Sequence, residues 1–288
     1  MSSEEVQTSL EMEREQALGS PVADRPRDSA GRWVSPDSAV DVPSKGPRRA
    51  IEAPFLPPRG ESVYPLVGTV AAVLDGRSVV TEHFRILATK LQMMLPSGRP
   101  TCIGVVSAAA GEGKTTVSIG LAHAFTRTVA TRVALLDLDL RRPAVARYLG
   151  LEKAEGIGEW LDDRSEGIQL HRHSEADFVV ATAGDLISRR FELLSGPPMA
   201  GALQAARRAF DFTLVDLPPL MPVADAVTLQ DHVDGVVLVV RSRCCPTETI
   251  QAAVARLREG ALLGVVLNDQ RDIIPGYYSY ASRRYGKD

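Results

Sequence analysis

The run Ala108-Ala109-Ala110-Gly111-Glu112-Gly113-Lys114-Thr115 places two glycines, a lysine and a hydroxyl in an order that suits phosphate chemistry. Gly111 and Gly113 let the backbone turn its N–H groups inward around phosphate oxygens, and a helix starting at Lys114 adds the positive potential of its N-terminus. In such a loop the lysine reaches the β- and γ-phosphates and the following hydroxyl ligates magnesium, which assigns those tasks to Lys114 and Thr115. Ala110, Gly111, Glu112, Gly113 and Thr116 complete the cradle around the phosphates. The pattern fits the phosphate-binding loop with Ala108 in place of the first glycine. An apolar strand candidate, Cys102–Ser107, precedes it and a helix candidate, Lys114–Thr128, follows, which is the context that separates this loop from an ordinary Gly-rich turn.

Two more apolar runs end in carboxylates. Val133-Ala-Leu-Leu-Asp137-Leu-Asp139 places its acids two apart, so on a strand both share one face at the edge where open α/β sheets bind ligands. From spacing alone, both belong near a magnesium ion and a γ-phosphate. Phe212-Thr-Leu-Val-Asp216-Leu-Pro218-Pro219 is the third strand end, with Asp216 in the place of the acid that holds magnesium directly or through water. A different feature closes the chain: four of its six tyrosines, Tyr277, Tyr278, Tyr280 and Tyr285, fall in the last twelve residues.

The elements that must position these groups alternate. Strand candidates lie at Cys102–Ser107, Arg132–Asp137, Phe178–Ala181, Thr213–Asp216, Val236–Arg241 and Gly264–Asn268. Helix candidates lie at Val80–Leu95, Lys114–Thr128, Met199–Ala209 and Thr247–Glu259. Near-continuous apolar strands between amphipathic helices predict an α/β fold, a parallel sheet with helices on both faces. His171 and His173 read as part of a solvated loop, and Cys244 and Cys245 as a loop at a strand end. Residues 1–62 hold eight of the 19 prolines and read as a disordered arm, apart from a short helix candidate at Glu4–Leu18. The expected division is therefore 1–62 arm, 63–271 phosphate-loop domain and 272–288 tyrosine tail.

Composition sets outer bounds. Apolar residues make up 44% of the 288, close to the globular average, so wholesale disorder is excluded. The net charge of −3 gives no support for a nucleic-acid-binding surface. No apolar run approaches the ~18 residues of a membrane span, and the acidic N-terminus lacks the core of a secretory signal. Three cysteines without metal-ligand spacing (Cys102, Cys244 and Cys245) point to a reducing cytoplasm.

Together, the phosphate loop, the Asp-x-Asp-x-Arg strand, the Asp-x-Pro-Pro strand and the terminal tyrosines resemble the bacterial tyrosine autokinases of capsule and exopolysaccharide production. Glu82-His-Phe-Arg85-Ile-Leu, Arg141-Arg142-Pro143, Pro222-Val-Ala-Asp225-Ala, Val233-Asp234-Gly235 and Val266-Leu267-Asn268 extend the resemblance, which runs from about Val63 to the C-terminus. It implies a fold related to the partitioning ATPases, with ATP and Mg2+ as cofactors. It also implies transfer of phosphate to the tyrosine tail of a neighbouring subunit in a homo-oligomer. On that basis Asp139 and Asp216 hold magnesium with Thr115, Asp137 takes the tyrosine proton, Asn268 contacts adenine, and Glu82 and Arg85 serve oligomerisation. The implied partners are a membrane-spanning polysaccharide co-polymerase that activates the kinase and a cognate tyrosine phosphatase. The implied location is the inner face of the cell membrane, held through that partner. Ala88 departs from the family's Glu-x-x-Arg-x-x-Arg helix and weakens the expectation for ring assembly. Two rivals share the fold: a partitioning or cell-division ATPase, whose second loop lysine is here Ala109, and an ATP-gated adaptor of a polysaccharide export complex.

Overall fold

A computed structural model describes residues 54–270, apart from short breaks at 59–60, 63–65, 67–68, 76–77, 96–97, 130–131, 152–153, 186–192, 195 and 222–224. The Pro-rich segment 1–53 and the tyrosine tail therefore lie outside the described residues, as does the Glu4–Leu18 helix candidate. The strands are β1 (Phe55–Leu56), β2 (Glu61–Ser62), β3 (Thr101–Ser107), β4 (Val133–Asp137), β5 (Ile168–His173), β6 (Val179–Ala181), β7 (Phe212–Asp216), β8 (Gly235–Arg241) and β9 (Leu262–Asn268). The helices are α1 (Thr69–Leu74), α2 (Val79–Met94), α3 (Lys114–Val129), α4 (Val145–Tyr148), α5 (Ile157–Leu161), α6 (Pro197–Ala209), α7 (Asp225–Leu229) and α8 (Thr247–Val254).

The sheet order is β1-β5-β6-β4-β7-β3-β8-β9, with β2 also pairing β5. Every pairing is parallel except β5 with β6. Strand β3 lies between β7 and β8, so the chain leaves it to one side for β4 and β7 and crosses to the other for β8 and β9. The loop after β3 thus opens at a topological switch point, the place where a sheet of this kind forms a crevice. All seven residues of β3 and all five of β4 and of β7 are buried, which explains their near-unbroken apolar sequences. One apolar layer joins Ile103, Val105 and Leu135 of the strands to Leu91 of α2 and Phe125 of α3. The other joins Val106, Leu136 and Leu238 to Ile157 of α5, Met199 and Leu203 of α6 and Ala253 of α8. The Phe125 and Phe212 rings stack 4.3 Å apart and fix α3 over β7. Where α2 crosses α3, Gly120 leaves room for the Phe84 ring, which would lie 2.5 Å from a Cβ at that position.

Two expectations need correction. The sheet begins at Phe55, inside the stretch assigned to the arm, because β1 and β2 add to β5 and Gln169 Nε2 donates to Pro57 O at 2.8 Å. Strand β5 occupies the stretch read as a solvated loop. Its Ile168-Gln-Leu-His-Arg-His sequence hides the strand behind polar residues, yet His173 is buried, and His171 Nε2 lies 2.5 Å from Glu155 O. Among the described residues no helix is long and apolar enough to cross a membrane.

His123 of α3 is buried with neither ring nitrogen hydrogen-bonded. Burial first, and the nearby Arg127 second, hold its pKa below the usual histidine value, against the pull of Asp177. The unfolded chain takes up a proton at its ordinary pKa while the fold resists, so this histidine's contribution to stability falls as pH drops through about 6.5, by up to about 1.4 kcal/mol per pH unit for one proton. Buried carboxyls with raised pKa values act in the opposite direction in both proteins, so urea unfolding from pH 7.5 to 5 should show the wild type losing stability relative to His123→Leu as the pH falls.

Candidate nucleotide site

Three strand ends meet at the loop. Gly111 and Gly113 have φ of +85° and +90°, the left-handed backbone that turns Ala108–Gly113 around its own amides. At the head of α3, Lys114 is buried and its Nζ lies 2.9 Å from Asp139 Oδ2 and 3.5 Å from Asp216 Oδ1. Thr115 Oγ1 donates to Asp216 Oδ2 at 2.6 Å, and Ser118 Oγ donates to Asp216 Oδ1 at 3.2 Å. Asp137 and Asp216 face each other in the register of β4 and β7, and Leu138 N donates to Asp216 O at 2.9 Å. The Asp137 carboxylate is wholly buried and accepts from three backbone amides, those of Asp139, Ala144 and Val145, at 3.1, 3.2 and 3.1 Å. It thereby ties the chain beyond β4 into the turn that starts α4. Asp139 Oδ1 in turn accepts from Arg142 N at 3.1 Å.

The charges in this cluster adjust to burial. Desolvation acts most strongly on Lys114 and would lower its pKa, but Asp216 and Asp139 outweigh it and hold the ammonium above its usual range. Burial raises the Asp216 carboxyl, opposed by Lys114 and the Thr115 hydroxyl. Asp137 is pushed up to about 8, by burial first and by the Asp216 charge next, against Lys114 and the Val145 amide. The arrangement is thus one cation at the hub of three acids, able to meet a polyphosphate with Lys114 and to offer carboxylates to its counter-ion.

The opposite flank of the loop is held differently. Glu112 is wholly buried, and its Oε2 accepts from Ala109 N at 2.7 Å. Asn268, at the end of β9, donates through Nδ2 to Glu112 O at 2.9 Å. Beside it a cavity of about 310 Å³ is lined by Arg241, Ser242, Arg243, Cys244 and Asp269.

Of the residues read from sequence, Lys114, Thr115, Asp137, Asp139 and Asp216 gather on one flank of the loop and Asn268 joins from the other. Ala110, Gly111 and Gly113 form the turn, and Thr116 is half-buried on the first turn of α3. Glu82 and Arg85 pair on α2, Arg85 Nε donating to Glu82 Oε2 at 2.8 Å, a hydrogen bond that lowers the Glu82 pKa. Tyr277, Tyr278, Tyr280 and Tyr285 lie outside the described residues. Sequence reasoning missed Ser118, although its spacing of four from Lys114 places it on the same helix face. Arg241 could not have been found without the fold, because only its backbone amide faces the loop, 3.5 Å from Glu112 Oε1.

Residues 103–273 match the CobQ/CobB/MinD/ParA nucleotide binding domain of the CbiA family, the class that this sheet and loop define. The chain is 32% identical over 216 residues to tyrosine-protein kinase YwqD of Bacillus subtilis (strain 168), covering 73% of this chain and 90% of that one. It is 30% identical to the succinoglycan biosynthesis transport protein ExoP of Rhizobium meliloti (strain 1021), where 67% of this chain spans 25% of the relative. The solved kinase domain of Escherichia coli tyrosine kinase ETK superposes with a TM-score of 0.65 at 25% identity, over 72% of this chain and 84% of that domain. The chain belongs to the family of bacterial tyrosine kinases built on this nucleotide-binding fold.

Lys114→Met leaves the acid cluster buried without its cation, and loss of one partner from a buried ion pair costs about 3 kcal/mol or more. Urea unfolding of the ligand-free variant should show that loss, whereas an exposed loop lysine would leave the midpoint unchanged.

Proposed function

We propose that this chain is an ATP-dependent protein-tyrosine autokinase that phosphorylates Tyr277, Tyr278, Tyr280 and Tyr285 in the tail of a neighbouring copy. The observation that carries the reading is the convergence of Lys114, Thr115, Asp139 and Asp216 on one phosphate loop, with Asp137 anchored beside them. Thr115 Oγ1 and Asp216 Oδ2 are hard oxygen donors, the kind magnesium takes when phosphate and water supply its remaining ligands. Among the described residues no cluster of three or more acids, histidines or cysteines could hold a metal by itself, so the nucleotide's own oxygens belong to the proposed magnesium site.

Phosphoryl transfer depends on positioning and charge neutralisation more than on covalent help from the protein. Lys114 would neutralise the β- and γ-phosphates, Asp139 and Asp216 with Thr115 would hold magnesium, and Asp137 would receive the phenol proton as the phenol oxygen bonds the γ-phosphorus, the β–γ bridging P–O bond breaks and ADP leaves. A tail that must reach the site and leave it again is better served by a neighbour, so the working form is a homo-oligomer, with Glu82 and Arg85 at its contact. Each phosphate adds nearly two negative charges, so a phosphorylated tail repels itself and loosens the assembly. Kinship with tyrosine-protein kinases and a succinoglycan transport protein supports a place in exopolysaccharide or capsule export. There the kinase works at the cytoplasmic face of the membrane, activated by a membrane-spanning co-polymerase and reversed by a tyrosine phosphatase.

Mass spectrometry of the purified chain incubated with Mg-ATP and the activating cytoplasmic segment should find phosphate on the tail tyrosines, and none in Lys114→Met. ATP binding with an unmodified tail would instead favour an ATP-gated adaptor. Asp216→Asn should weaken Mg-ATP on the order of tenfold while leaving metal-free ATP nearly unchanged, since it removes a metal ligand rather than a phosphate contact. Calorimetric titration with and without EDTA reads the difference.

A further inference from the structure

The phosphate loop is held on its second flank by contacts that involve no phosphate. Asn268 packs into the space left by Gly113, whose Cβ, if it had one, would lie 2.0 Å from Asn268 Nδ2. That amide is already committed as a donor to Glu112 O at 2.9 Å. The buried Glu112 side chain takes the Ala109 amide at 2.7 Å and, through a long contact of 3.5 Å, the Arg241 amide at the end of β8. Arg241 and Asn268 are partners in the register of β8 and β9.

The strand ends that supply this brace are themselves locked. Ser242 N donates to Asn268 O at 2.9 Å, and Arg241 grips Asp269 Oδ2 through Nε at 3.0 Å and Nη2 at 2.8 Å. Arg243 and Asp269 carry φ of +58° and +53°, a left-handed backbone that costs a residue other than glycine and persists where its surroundings enforce it. Two such residues flank the edge that holds Asn268.

We infer that Asn268 and Glu112 are positioning residues for the phosphate cradle: they fasten the loop to the β8–β9 edge, so phosphate affinity depends on side chains that touch no phosphate. The inference rests on the nucleotide-site reading and gives Asn268 a task beyond contact with a base. One Nδ2 hydrogen steadies the loop, and Oδ1 with the second Nδ2 hydrogen remains for a base. Occupancy of the base side and order in the cradle then share one side chain.

A ligand with no base separates the two tasks. Calorimetric titration of the full-length protein with Mg-tripolyphosphate and with Mg-ATP should compare wild type, Asn268→Ala, Glu112→Ala and Glu112→Gln. Asn268→Ala should weaken tripolyphosphate by about tenfold, the equivalent of one lost hydrogen bond. Glu112→Ala should do the same, and Glu112→Gln, which keeps an acceptor for the Ala109 amide, should recover most of the affinity. If Asn268→Ala does not fold, Asn268→Asp serves, because it replaces the donor facing Glu112 O with an acceptor. Tripolyphosphate affinity within about twofold of wild type in the Asn268 variants, with ATP weakened, would make Asn268 a base contact alone and overturn the inference. Failure of the wild type to bind tripolyphosphate would overturn it as well. An unphosphorylated tail alongside the expected affinities would sink the kinase reading and leave this one standing.

Discussion

A single buried ammonium organises the centre of this molecule. Lys114 lies within reach of Asp139, two residues beyond the end of β4, and of Asp216, the last residue of the neighbouring β7. Burial opposes every charge in the cluster, so each is tolerable only because of the others. The same requirement fixes where β4 and β7 must stop, how their register aligns Asp137 with Asp216, and why Thr115 and Ser118 turn their hydroxyls toward one carboxylate. The proposed polyphosphate with its magnesium ion would extend that charge balance.

The fold supplies the rigidity that this cluster needs. The buried β7 on one side of β3 and β8, buried as far as Val240, on the other hold the base of the loop, and the apolar layers above and below the sheet fix α3, which carries the lysine. The two flanks of the loop are unlike each other. One is acidic and gathers around Lys114; the other is a brace of amides and one buried carboxylate reaching to β8 and β9. Under the proposed reaction this division would let the charged flank exchange ligands while the brace holds its shape.

Membership of the tyrosine-kinase family and the geometry of the loop bear on different halves of the proposed reaction. The loop, its lysine and its acids account for handling a nucleotide. The tyrosines belong to a tail beyond the described residues. The proposed transfer between copies would join the two halves by bringing a tail from one chain to the acidic flank of another.

The amino-acid sequence by itself determined which residues make up the acidic flank. A phosphate loop needs its residues at consecutive positions, and strand-end acids announce themselves by following apolar runs, so Lys114, Thr115, Asp137, Asp139 and Asp216 were legible from local pattern. The parallel α/β class followed from the same runs. Strand β5 was not legible, because its Gln169, His171, Arg172 and His173 owe their strand conformation to neighbours β1, β2 and β6 rather than to their own propensity. Only the tertiary structure decided the second flank. Glu112 and Asn268 are separated by 156 positions, and Glu112 and Arg241 by 129, so nothing local in either stretch encodes their contact. Their meeting depends on the strand order that places β8 beside β3 and β9 beside β8, long-range pairings that no periodicity in a short window can reveal.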